Sequence, residues 1–268
     1  MAFTERALCE MARLLLSFAL KEESRAFQKL VVARTDLHVL LTGIGQRNAE
    51  RAIRKALAEL SPKLVLTCGF AGGLNPELTA GTVVFSTDEN LTSPTNPPPT
   101  PPREGSRISD AGDEFPSREG AGVGSPARRS VENSSVLYSA LLTAGARPAR
   151  FHCVESVVIT ATEKRALRLQ TGADAVEMES GVIRAICGLH KIPSATVRVI
   201  SDDANQDLPL DLNRLMDSNQ NLSYAKLTAA LMKSPGKIGA LLKLQKQTQA
   251  AADKLAQVLE KVLANFPC

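Results

Sequence analysis

Residues 174–205, DAVEMESGVIRAICGLHKIPSATVRVISDDAN, constrain the fold more than any other stretch of the chain. A short extended segment, 173–176, leads in. Residues 180–190 then carry Val182, Ile183, Ile186 and Leu189 at helical spacing. Lys191-Ile192-Pro193 ends that helix, because a residue preceding proline disfavours the helical region. Residues 195–200, a β-branched run between polar residues, read as a buried strand. The unit is strand, helix, strand, with the two strands expected to be parallel and joined by a right-handed crossover. Glu177, Met178 and Glu179 then leave the end of one strand, and Ser201 and Asp202 the end of the next. Both ends fall on one edge of a parallel sheet, where open α/β sheets hold ligands. Glu177, Glu179 and Asp202 are therefore expected to share a crevice. The same acids also fit solvated loops or the positive end of a helix, and the pattern alone leaves both readings open.

A chain of 268 residues suits one large α/β domain or two small ones and supports a sizeable core. The net charge of +4 owes much to Lys226, Lys233, Lys237, Lys243, Lys246, Lys254 and Lys261, whose spacing is that of solvated helix faces. With no Trp and two Tyr there is no base-stacking platform, so no nucleic-acid partner is expected. Cys9, Cys68, Cys153, Cys187 and Cys268 form no CxxC pair, and an odd count on predicted core elements points to a reducing cytoplasm. His38, His152 and His190 lack metal-ligand spacing, so no metal is expected. The apolar run 14–20 is too short to span a bilayer and has no small-residue cleavage site after it, so neither membrane insertion nor a signal peptide is expected.

Along the chain, 13–20 reads as a buried strand, 21–24 as a loop followed by a helical turn through Phe27, and 30–34 with 37–42 as a hairpin around Thr35-Asp36. Residues 48–60 place Ala52, Ile53, Ala56, Leu57 and Leu60 on one helix face. A strand at 64–68 runs into Gly69-Phe70-Ala71-Gly72-Gly73, expected to be a tight loop, and 81–86 is a further strand. Residues 92–135, with SPTNPPPTPPREGSR and GAGVGSPARRS, are dominated by Pro, Gly and Ser and read as a disordered insertion. A helix at 136–144, a strand at 151–158, a helix at 163–169 and helices at 208–216, 223–233 and 238–263 complete the reading. This order fits a three-layer α/β/α sandwich with a mixed central sheet, as a single domain over 1–268.

ALKEE (19–23), TGIG (42–45), AGGLNPELTAG (71–81), AVEMES (175–180) and VRVISDDA (197–204) occur in this order, and the sequence resembles the nucleoside phosphorylase/hydrolase family through them. Within that family it is most similar to the methylthioadenosine/S-adenosylhomocysteine nucleosidases. The resemblance spans nearly the whole chain apart from 92–135 and the C-terminal tail. It implies a nucleoside phosphorylase-like fold, a purine nucleoside as ligand, no cofactor and a homodimer. Asp202 would be the acid that gives a proton to N7 of the departing purine, and Asp203 is its nearest competitor. An acid suits this step because cleavage of a glycosidic bond leaves negative charge on the base. Glu179 would clamp the ribose hydroxyls, Met178 would pack on the sugar, and Ser201 would steady Asp202 or the purine edge. Ala71 and Gly72 would border the substrate, and Glu177 would stand at the strand end.

The resemblance also separates two nucleophiles. Phosphorylases of this fold hold phosphate with arginines, one of them just before the glycine loop, where this chain has Thr67 and Cys68. Glu23 instead matches the water-activating base of the nucleosidases, and a carboxylate there repels phosphate. Arg47 is the remaining candidate phosphate ligand. Two positions depart from the nucleosidase pattern. Phe70 replaces a serine that touches ribose or water, and Val158 or Ile159 must sandwich the base where the family has an aromatic ring. The C-terminal helix is more similar to that of hopanoid-associated members. The expected activity is hydrolysis of an adenosine-type nucleoside. The alternatives are phosphorolysis, a hopanoid-associated adenosyl nucleosidase, and a catalytically silent nucleoside-binding protein.

Overall fold

The computed structural model describes residues 14–87, 126–216, 236 and 238–264, with the backbone alone at 126–134. The central element is β3 (Leu64–Gly73), which lies between β1 (Leu14–Phe18) and β8 (Ser194–Asp202), parallel to both. The sheet runs β2-β1-β3-β8-β4-β5, with β2 at Leu37–Leu41, β4 at Val83–Ser86 and β5 at Arg147–Pro148. The β4 strand is antiparallel to β8, so the sheet is mixed. LLLSF is buried along its whole length, as a strand covered on both faces must be.

One face of the sheet is covered by α1 (Lys21–Leu30), α3 (Pro126–Thr143) and α7 (Ile238–Ala264), which meet Leu16, Phe18, Leu66 and Val197 through Phe27, Leu141, Leu255 and Leu259. The other face is covered by α2 (Gln46–Glu59) and α5 (Ser180–Leu189), where Ile53, Ala56, Ile183 and Ile186 pack on Leu15 and Val65. This is the three-layer α/β/α sandwich with a mixed central sheet. Alternate residues of β1 serve the two cores, Leu14, Leu16 and Phe18 on one side and Leu15 on the other.

Several local expectations are corrected. No hairpin forms at 30–42. The β1 and β2 strands are parallel, with α1 as the crossover, and the turn after Leu30 is braced by the Arg34–Asp36 ion pair at 2.7 Å. Residues 69–73 are strand rather than loop, because β8 runs beside them with a register shift at Ala71/Gly72. Strand β7 (Ala175–Glu177) is not a parallel companion of β8. It pairs antiparallel with the last two residues of β3 and parallel with β6 (Phe151–Cys153). The β6 strand stops at Cys153, five residues before its expected end at Val158. Of 208–216 only Leu212–Leu215 (α6) is helical, capped by the Asp211 side chain on the Asn213 N–H. Pro209 keeps Leu208 out of the helix. The α3 helix begins at Pro126, so 126–135 is helix rather than part of an irregular insertion, while 92–125 and the expected helix at 223–233 lie outside the described residues.

Gly69 is the most closely approached glycine among the described residues. Its φ is +140°, and a Cβ there would lie 2.7 Å from Arg198 Nη1 and 2.8 Å from Glu23 Oε1. Only glycine allows β3 to pass so close to both side chains. Gly69→Ala is therefore expected to cost about 1–3 kcal/mol and to lower Tm by several degrees in a thermal melt. Gly239→Ala on α7, where a Cβ meets nothing within 4 Å, is expected to leave Tm unchanged or slightly raised.

Candidate active site

A cavity of about 230 Å³ opens where β3, β7 and β8 end. Glu23, Phe70, Ala71, Gly72, Glu177, Met178, Glu179, Ser201 and Asp202 all line it. Antiparallel pairing of β7 with the end of β3 sets Val176 opposite Gly72, and β8 sets Asp202 opposite the same glycine from the other side. The acids therefore converge, by a different topology from the one the sequence suggests.

The acids are organised by Arg198, which is 1% exposed on β8. Its Nη2 donates to Glu177 Oε2 at 2.6 Å and to Glu179 Oε2 at 3.3 Å, and its Nη1 donates to the Cys68 carbonyl at 3.2 Å. Glu177 is fully engaged by the protein. Besides Arg198 it accepts the N–H groups of Glu179 and Ser180, the Ser180 hydroxyl and the Cys153 thiol. Burial alone would raise its pKa, but Arg198 and these donors together hold it below the ordinary carboxylate value. Burial and the adjoining Glu177 carboxylate push the Cys153 thiol up to about 12, so it acts as a donor. Glu177 thus starts α5 and fixes Arg198, and has no acceptor left for a ligand.

Glu179 and Glu23 differ from Glu177. Glu179 Oε1 accepts the Gly45 N–H at 2.9 Å, tying the site to the start of α2. Burial pushes Glu179 up to about 7, opposed by Arg198 and assisted by the Glu177 charge. Glu23 sits in the first turn of α1. Its Oε2 accepts the Leu20 N–H and its Oε1 the Phe70 N–H, each at 2.9 Å. Burial raises the Glu23 pKa despite Arg198 and these N–H donors. Burial thus holds both groups above the ordinary carboxylate value.

On the opposite side of the cavity, Asp202 accepts the Ser201 hydroxyl at 2.5 Å on Oδ1 and pairs through Oδ2 with Lys164 Nζ at 2.5 Å. Lys164 lies on α4 (Ala161–Thr171), a helix started by the reciprocal Thr160/Glu163 capping box and ended by Gly172 in the left-handed region. Asp203 is turned elsewhere: its Oδ1 accepts the Ala80 N–H. The apolar lining comprises Val154, Val157, Val158, Leu208, Leu212 and Met216, with Leu244 and Thr248 contributed by α7. Asn213 clamps this lining with two bonds of 2.8 Å, to the N–H and the carbonyl of Val157.

Besides Asp203 and Arg47, one residue singled out in the sequence is not part of the lining, Ile159. Its backbone bonds to Glu163 Oε2 and to the Leu208 N–H, and Val157 lines the cavity beside Val158. Arg47 is exposed on α2 and does not reach the cavity. Sequence reasoning missed Arg198 and Lys164. Arg198 had a signal, since a charge inside a β-branched buried strand requires partners. Lys164 had none, because Glu163-Lys164-Arg165 reads as an exposed helix face.

Residues 10–234 match the phosphorylase superfamily. A 5'-methylthioadenosine/S-adenosylhomocysteine nucleosidase of Mycobacterium bovis is 27% identical over 200 residues, 65% of this chain and 72% of that protein. Among solved structures, the futalosine hydrolase of Helicobacter pylori superposes with a TM-score of 0.58 at 13% identity, over 95% of this chain and 98% of its own. The 5'-methylthioadenosine/S-adenosylhomocysteine nucleosidase of the same organism superposes with a TM-score of 0.58 at 15% identity, over 95% and 99%. These two carry the likeness in fold, and the match across most of the sequence carries the assignment: the chain belongs to the phosphorylase superfamily.

Proposed function

We propose that the protein is a purine nucleosidase that uses water to cleave the N-glycosidic bond of an adenosine-type nucleoside. The observation that carries this reading is the placing of Glu23 and Asp202 on one cavity with Glu179 also on its lining. In the proposed reaction the C1′–N9 bond breaks and its electron pair leaves with the purine. A proton passes from Asp202 to N7. Water bonds to C1′ and gives its proton to Glu23, so the products are free purine and free sugar. Glu179 accepts hydrogen bonds from the ribose hydroxyls, and the valine wall holds the base. Similar proteins bearing the names nucleosidase and hydrolase support the same class.

Phosphate would need positive charge that is not already committed. Among the described residues, the cations joined to the cavity acids are Arg198, shared between Glu177 and Glu179, and Lys164, paired with Asp202. Hydrolysis is therefore the reading these groups favour, in a cytoplasmic homodimer. No helix among the described residues is long and apolar enough to cross a membrane.

Incubating the protein with methylthioadenosine, adenosine and inosine, with and without phosphate, is expected to yield free 5-substituted ribose or ribose at a rate independent of phosphate. Obligatory phosphate with accumulation of a sugar 1-phosphate would refute hydrolysis. Glu23→Gln is expected to bind ligand in calorimetry about as well as wild type while losing at least about a hundredfold in kcat, the scale of a lost general base. Glu179 binds sugar hydroxyls best when ionised, and its pKa is raised to about 7. KM for the nucleoside should therefore fall as pH rises from 6 to 8, and Glu179→Gln should remove that dependence, as read from Michaelis profiles across the range.

A further inference from the structure

We propose that Lys164 is a positioning residue for departure of the base, acting through Asp202. The proposal rests on the reading of Asp202 as the acid. Lys164 is 0% exposed. An ammonium has three N–H donors, and here they meet Asp202 Oδ2 at 2.5 Å and the carbonyls of Asp203 and Gln206, each at 2.8 Å. Three acceptors and no donor surround the nitrogen, so the geometry is that of the charged form. The α4 helix that carries it is fixed by its capping box and by the Ala161 N–H on Asp207 Oδ1 at 2.7 Å. The charge thus stands in a fixed place behind the carboxylate.

That placement acts on the reaction. While Asp202 carries its proton it is neutral. As the proton moves to the purine, negative charge grows on the carboxylate, beside the ammonium and away from water. The attraction is larger in the transition state than in the ground state, which is the condition for raising turnover. Ser201 serves the ionised state. Its hydroxyl donates to Asp202 Oδ1 at 2.5 Å and lies 3.3 Å from the Ala71 carbonyl, so a donor is already in place when charge grows on the carboxylate.

A purely structural role, holding the 203–206 turn through its two carbonyls, makes a different prediction. The discriminating substrate is an N7-methylated nucleoside, whose purine departs neutral without receiving a proton. Wild type, Lys164→Met, Lys164→Arg and Asp202→Asn are compared on an adenosine-type nucleoside and its N7-methyl counterpart. Each ratio is taken on one preparation, so any unfolded fraction cancels. Lys164→Met and Asp202→Asn are expected to lose about a hundredfold in kcat on the ordinary nucleoside, the scale of lost preorganised electrostatics, and only a few-fold on the methylated one. KM should stay within about threefold, and Lys164→Arg, which keeps the charge, should recover at least about a tenth of the rate.

Equal losses of Lys164→Met on both substrates, with Asp202→Asn still sparing the methylated one, would leave Lys164 a purely structural residue and overturn the proposal. If Asp202→Asn loses equally on both, or wild type cleaves the methylated nucleoside more slowly than the ordinary one, the acid reading falls and this proposal with it. Should Lys164→Met not fold, Lys164→Arg decides: sparing of the methylated substrate supports the proposal, and an equal loss on both overturns it.

Discussion

One buried guanidinium sets the terms for everything around it. A charge as deep as that of Arg198 is tolerated only if carboxylates surround it, and breaking such a pair by removing one partner costs about 3–5 kcal/mol. Glu177 and Glu179 supply the partners, one from the end of β7 and one from the start of α5, and Glu23 adds its field from α1. Two segments distant in sequence, the β7–α5 junction and the first turn of α1, are therefore tied electrostatically to a single residue of β8. Gly69 is the backbone concession that lets them meet.

The same arrangement divides labour among chemically identical groups. Glu177 spends its oxygens on the protein and stays ionised. Glu179 and Glu23 accept fewer donors than Glu177, and burial raises both. A carboxyl whose folded-state pKa is raised contributes stability that is present below its ordinary 4.5 and is lost as pH rises through about 7, so the poised state of Glu179 is held at the expense of stability at neutral pH. Asp202 has its own cation, Lys164. The cavity thus joins two separate groups of cation and carboxylate, one on Arg198 and one on Lys164.

Much of this was legible in the sequence. The β-branched run 195–200 and the helix at 180–190 announced β8 and α5, because burial on both faces and helical periodicity leave strong local patterns. The residues after those strands were correctly expected to share a crevice. Illegible were the direction of β7, which depends on a two-residue contact with the end of β3, and the continuation of β3 through five residues that look like a turn. Both are decided by long-range pairing that overrides local preference. Lys164 was invisible for the same reason. Its partners, Asp202, Asp203 and Gln206, are supplied by another part of the chain.

The 27 residues of α7 form a rod of roughly 40 Å at the usual rise of 1.5 Å per residue. Its buried positions run from Ala251 to Leu263, against the sheet, whereas Leu244 and Thr248 line the cavity. Among the described residues the helix is mechanically a cantilever, clamped along its C-terminal half and carrying Leu244 and Thr248 to the site as its overhang. A helix bends only gently over a few turns, so the clamp sets the height of the overhang. The headroom above a bound ligand is then governed by core contacts far from any atom that the ligand touches. Changes in the bulk of Leu255 or Leu259, deep in the sheet interface, would be felt as changes in how large a substituent the cavity admits.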